Sequence, residues 1–227
     1  MALRFTLALL CLAAVDASAQ APPAMPDPSP LHVVTYVELR PTAKNEGSAL
    51  LRAWRDAQRQ AAGNQRAEVV QHPTRPGQFV IIAAWRNKAA FDGHAEAAAP
   101  FRQKLNALRN SPTDDRLHSG LSTGDPGAPQ PGALYVVTHV DVVPPRREDT
   151  EAALKALAQA NRVAEGNLRF EVLQQINRLN HFTVVEIWRS RQAYDANSMS
   201  AHQREFRDKL APMAGALYDE RLYEGLD

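Results

Sequence analysis

The 227-residue chain has a single cysteine, Cys11, and it lies in an apolar stretch near the N-terminus. Removal of that stretch as a leader leaves a chain without thiols. Disulfides, thiolate nucleophiles and cysteine-ligated metals are then excluded. An excess of one charge is also missing: 26 Lys and Arg face 25 Asp and Glu. No broad basic field exists to draw in nucleic acid or an anionic membrane, so neither is expected as a partner. No G-x-G-x-x-G or P-loop stretch is present, which argues against a bound nucleotide or dinucleotide. No histidine pair has H-E-x-x-H spacing, so no metal site is expected. No nucleophile elbow of a hydrolase is expected either.

What the chain does have begins with a leader. Met1-Ala2-Leu3-Arg4 is a short positive segment and residues 5–15 are an apolar run too short to span a bilayer. Ala17-Ser18-Ala19 puts small residues where a signal peptidase reads, with cleavage before Gln20. Leu10 stands before Cys11, where a lipoprotein signal needs a small residue. Residues 1–19 are therefore expected to be a signal peptide. The mature protein would be exported to a bacterial periplasm or secreted, without membrane attachment. Residues 20–30 are Pro-rich and form a tether.

A second Pro- and Gly-rich segment, residues 122–132, divides the rest of the chain. The blocks on either side align without a gap, residues 31–94 against 134–197, with 24 of 64 positions identical. The chain is thus a duplication: residues 31–121 form one repeat and 133–227 the other. Its most recognisable stretch is FVIIAAWRNKAAFDGH at residues 79–94, which recurs as FTVVEIWRSRQAYDAN at 182–197.

Each repeat gives the same order of signals. A β-branched run (31–39, 134–142) ends at Pro41 or Pro144. Helical spacing follows, then a Gly-Asn stop at Gly63 or Gly166. Two strands come next, the second ending in Trp85 or Trp188. A long helix is expected over 88–108 and 192–213, and a short last strand near Leu117 and Leu222. Strand, helix, strand, strand, helix, strand is the ferredoxin-like βαββαβ order, an α+β fold with an antiparallel sheet. Its helices cover one sheet face and leave the other bare, so the two repeats are expected to pair through those faces. Tyr36 and His139, alternating with Thr35 and Thr138, would point into that junction.

This pattern resembles the antibiotic biosynthesis monooxygenase superfamily of dimeric alpha/beta-barrel proteins. The carriers are the strand ending in Trp, a Glu two residues earlier, a His nine residues later, and a second His followed by Phe. The second repeat has Glu186, Trp188, His202 and Phe206, with Asn197 in place of the first His. The first has Trp85, His94 and Phe101, with Ala83 in place of the Glu. The resemblance implies a barrel made by two repeats within one chain, with a further homodimer open. It implies oxidation of a small aromatic quinol or polyphenol by O2 in an apolar pocket, with no cofactor. Trp85, His94, Trp188, Glu186 and His202 would then be catalytic, and Thr35, Thr138, Asn197, Phe101 and Phe206 would contact the substrate. His94 and His202 titrate in the range of a base for a phenolic proton. Two other readings stand beside it. One is a ligand-binding barrel without catalysis. The other is haem binding or degradation through His94 and Trp85, disfavoured by Thr35 and Thr138 where haem-degrading relatives carry Asn.

Overall fold

A computed structural model describes residues 29–125, 127 and 130–226. The expected signal peptide and most of the tether lie outside the described residues.

In the first repeat β1 (Leu31–Glu38), α1 (Lys44–Arg59), β2 (Asn64–Gln71) and β3 (Gln78–Trp85) come first. Then follow α2 (Lys88–Gly93), α3 (Ala95–Leu108) and β4 (Asp114–Ser122). The second repeat gives β5 (Leu134–Asp141), α4 (Arg147–Arg162), β6 (Asn167–Gln175) and β7 (His181–Trp188). It closes with α5 (Arg191–Ser198), α6 (Ala201–Leu210) and β8 (Asp219–Gly225). None of these helices is long and apolar enough to cross a membrane.

Local chemistry explains the boundaries. Pro41 and Pro144 open single 3-10 turns that feed α1 and α4; the fixed φ of proline suits a first helical turn. Gly63 and Gly166 sit at φ +82° and +81° just before β2 and β6. A Cβ there would meet the Cβ of Ala90 or Ala193 at 2.6 or 2.5 Å, so glycine is required twice over. Each long second helix expected from the sequence is broken in two. His94 ends α2 and starts α3, following Gly93. Ser200 takes extended backbone and its hydroxyl accepts from the Gln203 amide, restarting the chain as α6. The tail of the second helix, Ala211–Met213, is a 3-10 turn containing Pro212.

All eight strands close into one antiparallel barrel in the order β1-β3-β2-β8-β5-β7-β6-β4. The last strand of each repeat crosses to the other: β4 pairs with β6, and β8 with β2. The bare sheet faces thus meet each other, as expected. Strand alternation sorts the side chains. Val33, Thr35 and Val37 of β1 face the helices, while Val34 and Tyr36 face the barrel interior. The interior packs Val34, Val70, Val80, Ile82, Val137, Leu173, Val185, Ile187 and Tyr223. Four further apolar clusters, two per repeat, lie between sheet and helices.

Candidate active site

The candidate site lies between sheet and helices in the first repeat. A cavity of about 150 Å³ is walled by Val33, Ile81 and Ala83 from the sheet, Trp54 from α1, and Phe91, Phe101 and Leu105 from the α2–α3 arm. Its polar groups are Thr35, Gln58, Arg102, Asn106, Thr113 and Asp115. Thr35 Oγ1 donates to Asp115 Oδ1 at 2.6 Å, and Arg102 Nη1 donates to Asp115 Oδ2 at 3.0 Å. Thr35 and Asp115 are directly opposed in the β1–β4 register. Gln58 Oε1 is buried without a partner. The site therefore offers an apolar slot whose lining includes a paired carboxylate and guanidinium and a spare amide oxygen.

Trp54 is the shared wall of two spaces. Phe101 stacks on it at 4.1 Å and lines the cavity. His94 stacks on it at 5.2 Å and lines instead an outer groove with Arg86, Asn87 and Ala97. His94 also lies 5.1 Å from Trp85, ring to ring. Burial holds the His94 imidazole below its ordinary pKa, so the neutral ring is favoured. Its Nε2 and the Trp85 Nε1 are both buried and unpartnered. Trp85 itself is fully buried among Leu31, Val33, Ala83, Ala90 and Phe91.

The second repeat carries the same positions with larger or differently bonded side chains. Glu186 stands where the first repeat has Ala83, Tyr194 where it has Phe91, and Tyr218 where it has Thr113. Trp188 Nε1 donates to Glu186 Oε2 at 2.8 Å, so the indole that is free in the first repeat is occupied here. The Glu186 carboxyl is pushed up to about 8, mainly by burial. The Tyr194 hydroxyl donates to Glu220. Glu220 faces Thr138 across the β5–β8 register, as Asp115 faces Thr35. His202 is tied to Asn161 Oδ1 at 3.1 Å and to Ser200 Oγ at 3.2 Å. Asn197 also donates to Asn161, at 2.7 Å. Phe206 packs edge-on to Tyr218 in the second core. No hydrogen bond, ion pair or ring contact joins His202 to Glu186 or Trp188 among the described residues. The geometry thus brings together Thr35, Phe101 and their neighbours around one cavity, and Trp85 with His94 beside it. It does not assemble Glu186, Trp188 and His202 into one constellation.

Two features escaped the sequence reading. No spacing signal marks Asp115 or Arg102, although Asp115 lies two residues before Leu117 on the strand that pairs with β1 opposite Thr35. Inside the barrel, Arg66 Nη2 donates to Glu171 Oε2 at 2.7 Å, and Arg169 Nη1 to Glu68 Oε1 at 3.1 Å. The two pairs are repeat equivalents and link β2 to β6 across the barrel. Their signal was an Arg-x-Glu kept at the same place in both repeats: Arg66-Ala67-Glu68 and Arg169-Phe170-Glu171. The chain also contains a G-x-S-x-G string at 120–124. It is no nucleophile elbow, because Ser122 ends β4 without a following helix and its Oγ accepts from Arg162 at 3.0 Å.

Comparison with known proteins gives a consistent picture. A family model described as antibiotic biosynthesis monooxygenase matches residues 30–102 and again 133–209. A Bacillus subtilis (strain 168) protein named "Putative monooxygenase YcnE" is 26% identical over 86 residues, covering 38% of this chain and 90% of its own length. That is one repeat's worth of sequence. Among solved structures, a "Putative monooxygenase" from Fusobacterium nucleatum superposes with a TM-score of 0.80 at 13% identity, over 88% of this chain and 94% of its own. A "putative monooxygenase" from Lactobacillus acidophilus gives 0.73 at 15% identity, over 88% and 95%. These structural likenesses establish the fold.

Proposed function

The chain belongs to the antibiotic biosynthesis monooxygenase family, and from that premise we propose that its first repeat oxidises a small quinol or polyphenol with O2. The observation that carries this reading is the partly open cavity with Asp115 held against Thr35 on its wall. A cavity of about 150 Å³ is large enough for one benzene ring, so a single-ring quinol is the expected size class.

The polar lining supplies what this chemistry requires. Asp115 accepts a phenolic proton, and Arg102 places a positive charge beside the phenolate that results. The electron-rich anion then reduces O2. One oxygen atom becomes bonded to a ring carbon while the O–O bond breaks. The other oxygen leaves as water with the two hydrogens of the quinol, and the product is a hydroxylated quinone. Phe91, Phe101 and Leu105 keep the slot apolar and limit water access to the reactive ring. Trp85 Nε1, free of any protein acceptor, is a spare donor at the inner end of the repeat. His94 is a positioning residue that acts through its stack on Trp54. Export follows from the leader; N-terminal sequencing of protein recovered from the periplasmic fraction should begin at Gln20.

Oxygen uptake with a panel of single-ring hydroquinones and catechols tests the reading. Turnover with hydroxyquinone formation and one O2 consumed per quinol is expected. Saturable binding of the same compounds without O2 uptake would replace the enzyme with a ligand-binding barrel.

A further inference from the structure

We propose that His139, Asp141 and His181 form a binding site for a first-row divalent transition-metal ion. Linear spacing conceals this site because it is built across two strands. His139 and Asp141 are two residues apart on β5 and so share a face. His181 opens β7 directly opposite Asp141 in the register.

The ligating atoms of the three side chains all lie within 4.8 Å of one another. His181 Nδ1 is 3.4 Å from His139 Nε2, and His181 Nε2 is 3.5 Å from Asp141 Oδ1. Two ligands on a tetrahedral ion, each about 2.0–2.1 Å from it, are about 3.3 Å apart. Only one His181 nitrogen can bind a given ion, so these two contacts are alternatives; the set of one atom per residue, within 4.8 Å, closes on an ion by side-chain rotation of about an ångström. The orientation of His139 is also set. Its Nδ1 faces the Phe182 carbonyl oxygen at 3.1 Å, the outer contact that fixes the tautomer of metal-ligating imidazoles. Nε2 then carries the lone pair and points to the other two ligands.

The surroundings leave room for an ion with water on its open positions. The three residues border a cavity of about 340 Å³ with Gln175 and Asn177, whose amides offer further oxygen donors. Arg116 and Arg178 border it too. Arg116 is paired to Asp114 at 2.7 Å and lies over the Tyr36 ring at 4.6 Å, so much of its charge is already balanced. Arg178 remains the opposing charge and moderates affinity. The first repeat has Tyr36, Glu38 and Gln78 at the corresponding positions. The fold itself is thus satisfied without the trio. Two imidazoles and one carboxylate suit zinc, cobalt, nickel or iron, and match calcium and magnesium poorly.

The test uses the full-length, tag-free protein treated with EDTA and dialysed. Co2+ is titrated while the visible ligand-field absorption is followed, and Zn2+ is titrated by calorimetry. One ion per chain is expected, with Zn2+ displacing Co2+. His139→Gln, Asp141→Asn and His181→Gln should each weaken binding at least about tenfold, in line with the loss of one ligand. His72→Gln, which alters a histidine outside the group, should leave it unchanged. The circular dichroism of each variant reports whether it is folded. Absence of a one-to-one Co2+ band in the wild type would overturn the proposal. So would an affinity that none of the three substitutions changes, since the ion would then bind elsewhere.

Discussion

Thr35 Oγ1 donates to Asp115 Oδ1 at 2.6 Å on the wall of a partly open cavity. The corresponding carboxylate of the second repeat, Glu220, instead accepts from the hydroxyl of Tyr194. One carboxylate borders open space and the other is taken up by the protein's own phenol. The two repeats thus differ at this position, and under the proposed function the chemistry sits in the first repeat.

Removing the charge of Asp115 without changing its shape should abolish its role as proton acceptor. Asp115→Asn is expected to lower kcat for quinol oxidation by about 100-fold or more, the usual span for a lost general base. KM should move only a few-fold. His94→Phe keeps a ring against Trp54 and should retain most of kcat, whereas His94→Ala should not. A collapse of kcat in His94→Phe, at an unchanged KM, would make His94 the base instead. Steady-state oxygen-electrode kinetics read all three variants.

Glu186 predicts a pH dependence of stability. Burial raises its carboxyl from 4.5 to about 8, so it is protonated in the folded chain at neutral pH and ionised in the unfolded chain. The unfolded state therefore binds fewer protons between these values, and stability falls as pH rises through that window. The slope for this group is at most about 1.4 kcal/mol per pH unit. The contribution is fully present below about 4.5 and gone above about 8. Urea midpoints measured at intervals across this range should show a decline that Glu186→Gln flattens.

The four charges inside the barrel depend on one another. Glu68 and Arg169 are 4% and 2% exposed, so neutralising Glu68 leaves the buried Arg169 only the longer contact to Glu171, at 3.6 Å, for compensation. Glu68→Gln is expected to cost about 3–5 kcal/mol in urea unfolding, the range for breaking a buried pair from one side. The double variant Glu68→Gln, Arg169→Met should cost less than the sum of its parts. Additive losses would show that the pair is not coupled.

The fold was legible because the duplication repeated every signal. Gly63 and Gly166, Pro41 and Pro144, and Trp85 and Trp188 each confirmed the other, and the bare faces had only one place to go. The site was less legible because strand pairing, not spacing, assembles it. Thr35 and Asp115 are 80 residues apart and meet only through the β1–β4 register. The Glu-x-Trp of the second repeat looked catalytic in sequence, yet Glu186 is spent on the indole two residues away. His202 was similarly visible as a motif member, while its partner Asn161 lies on α4 and carried no signal of its own. The helix breaks at His94 and Ser200 depended on cap geometry, which apolar periodicity does not register.

The most direct measurement is the rate of quinol-dependent oxygen uptake by Thr113→Tyr, set beside His202→Ala. Thr113→Tyr gives the first cavity the tyrosine that the second repeat has at Tyr218, and leaves Asp115, Thr35 and Arg102 in place. Uptake should be lost in Thr113→Tyr and stay within about twofold of wild type in His202→Ala, a difference too small to reflect transition-state contact. Full activity in a folded Thr113→Tyr, or its loss in a folded His202→Ala, would contradict placement of the chemistry in the first repeat.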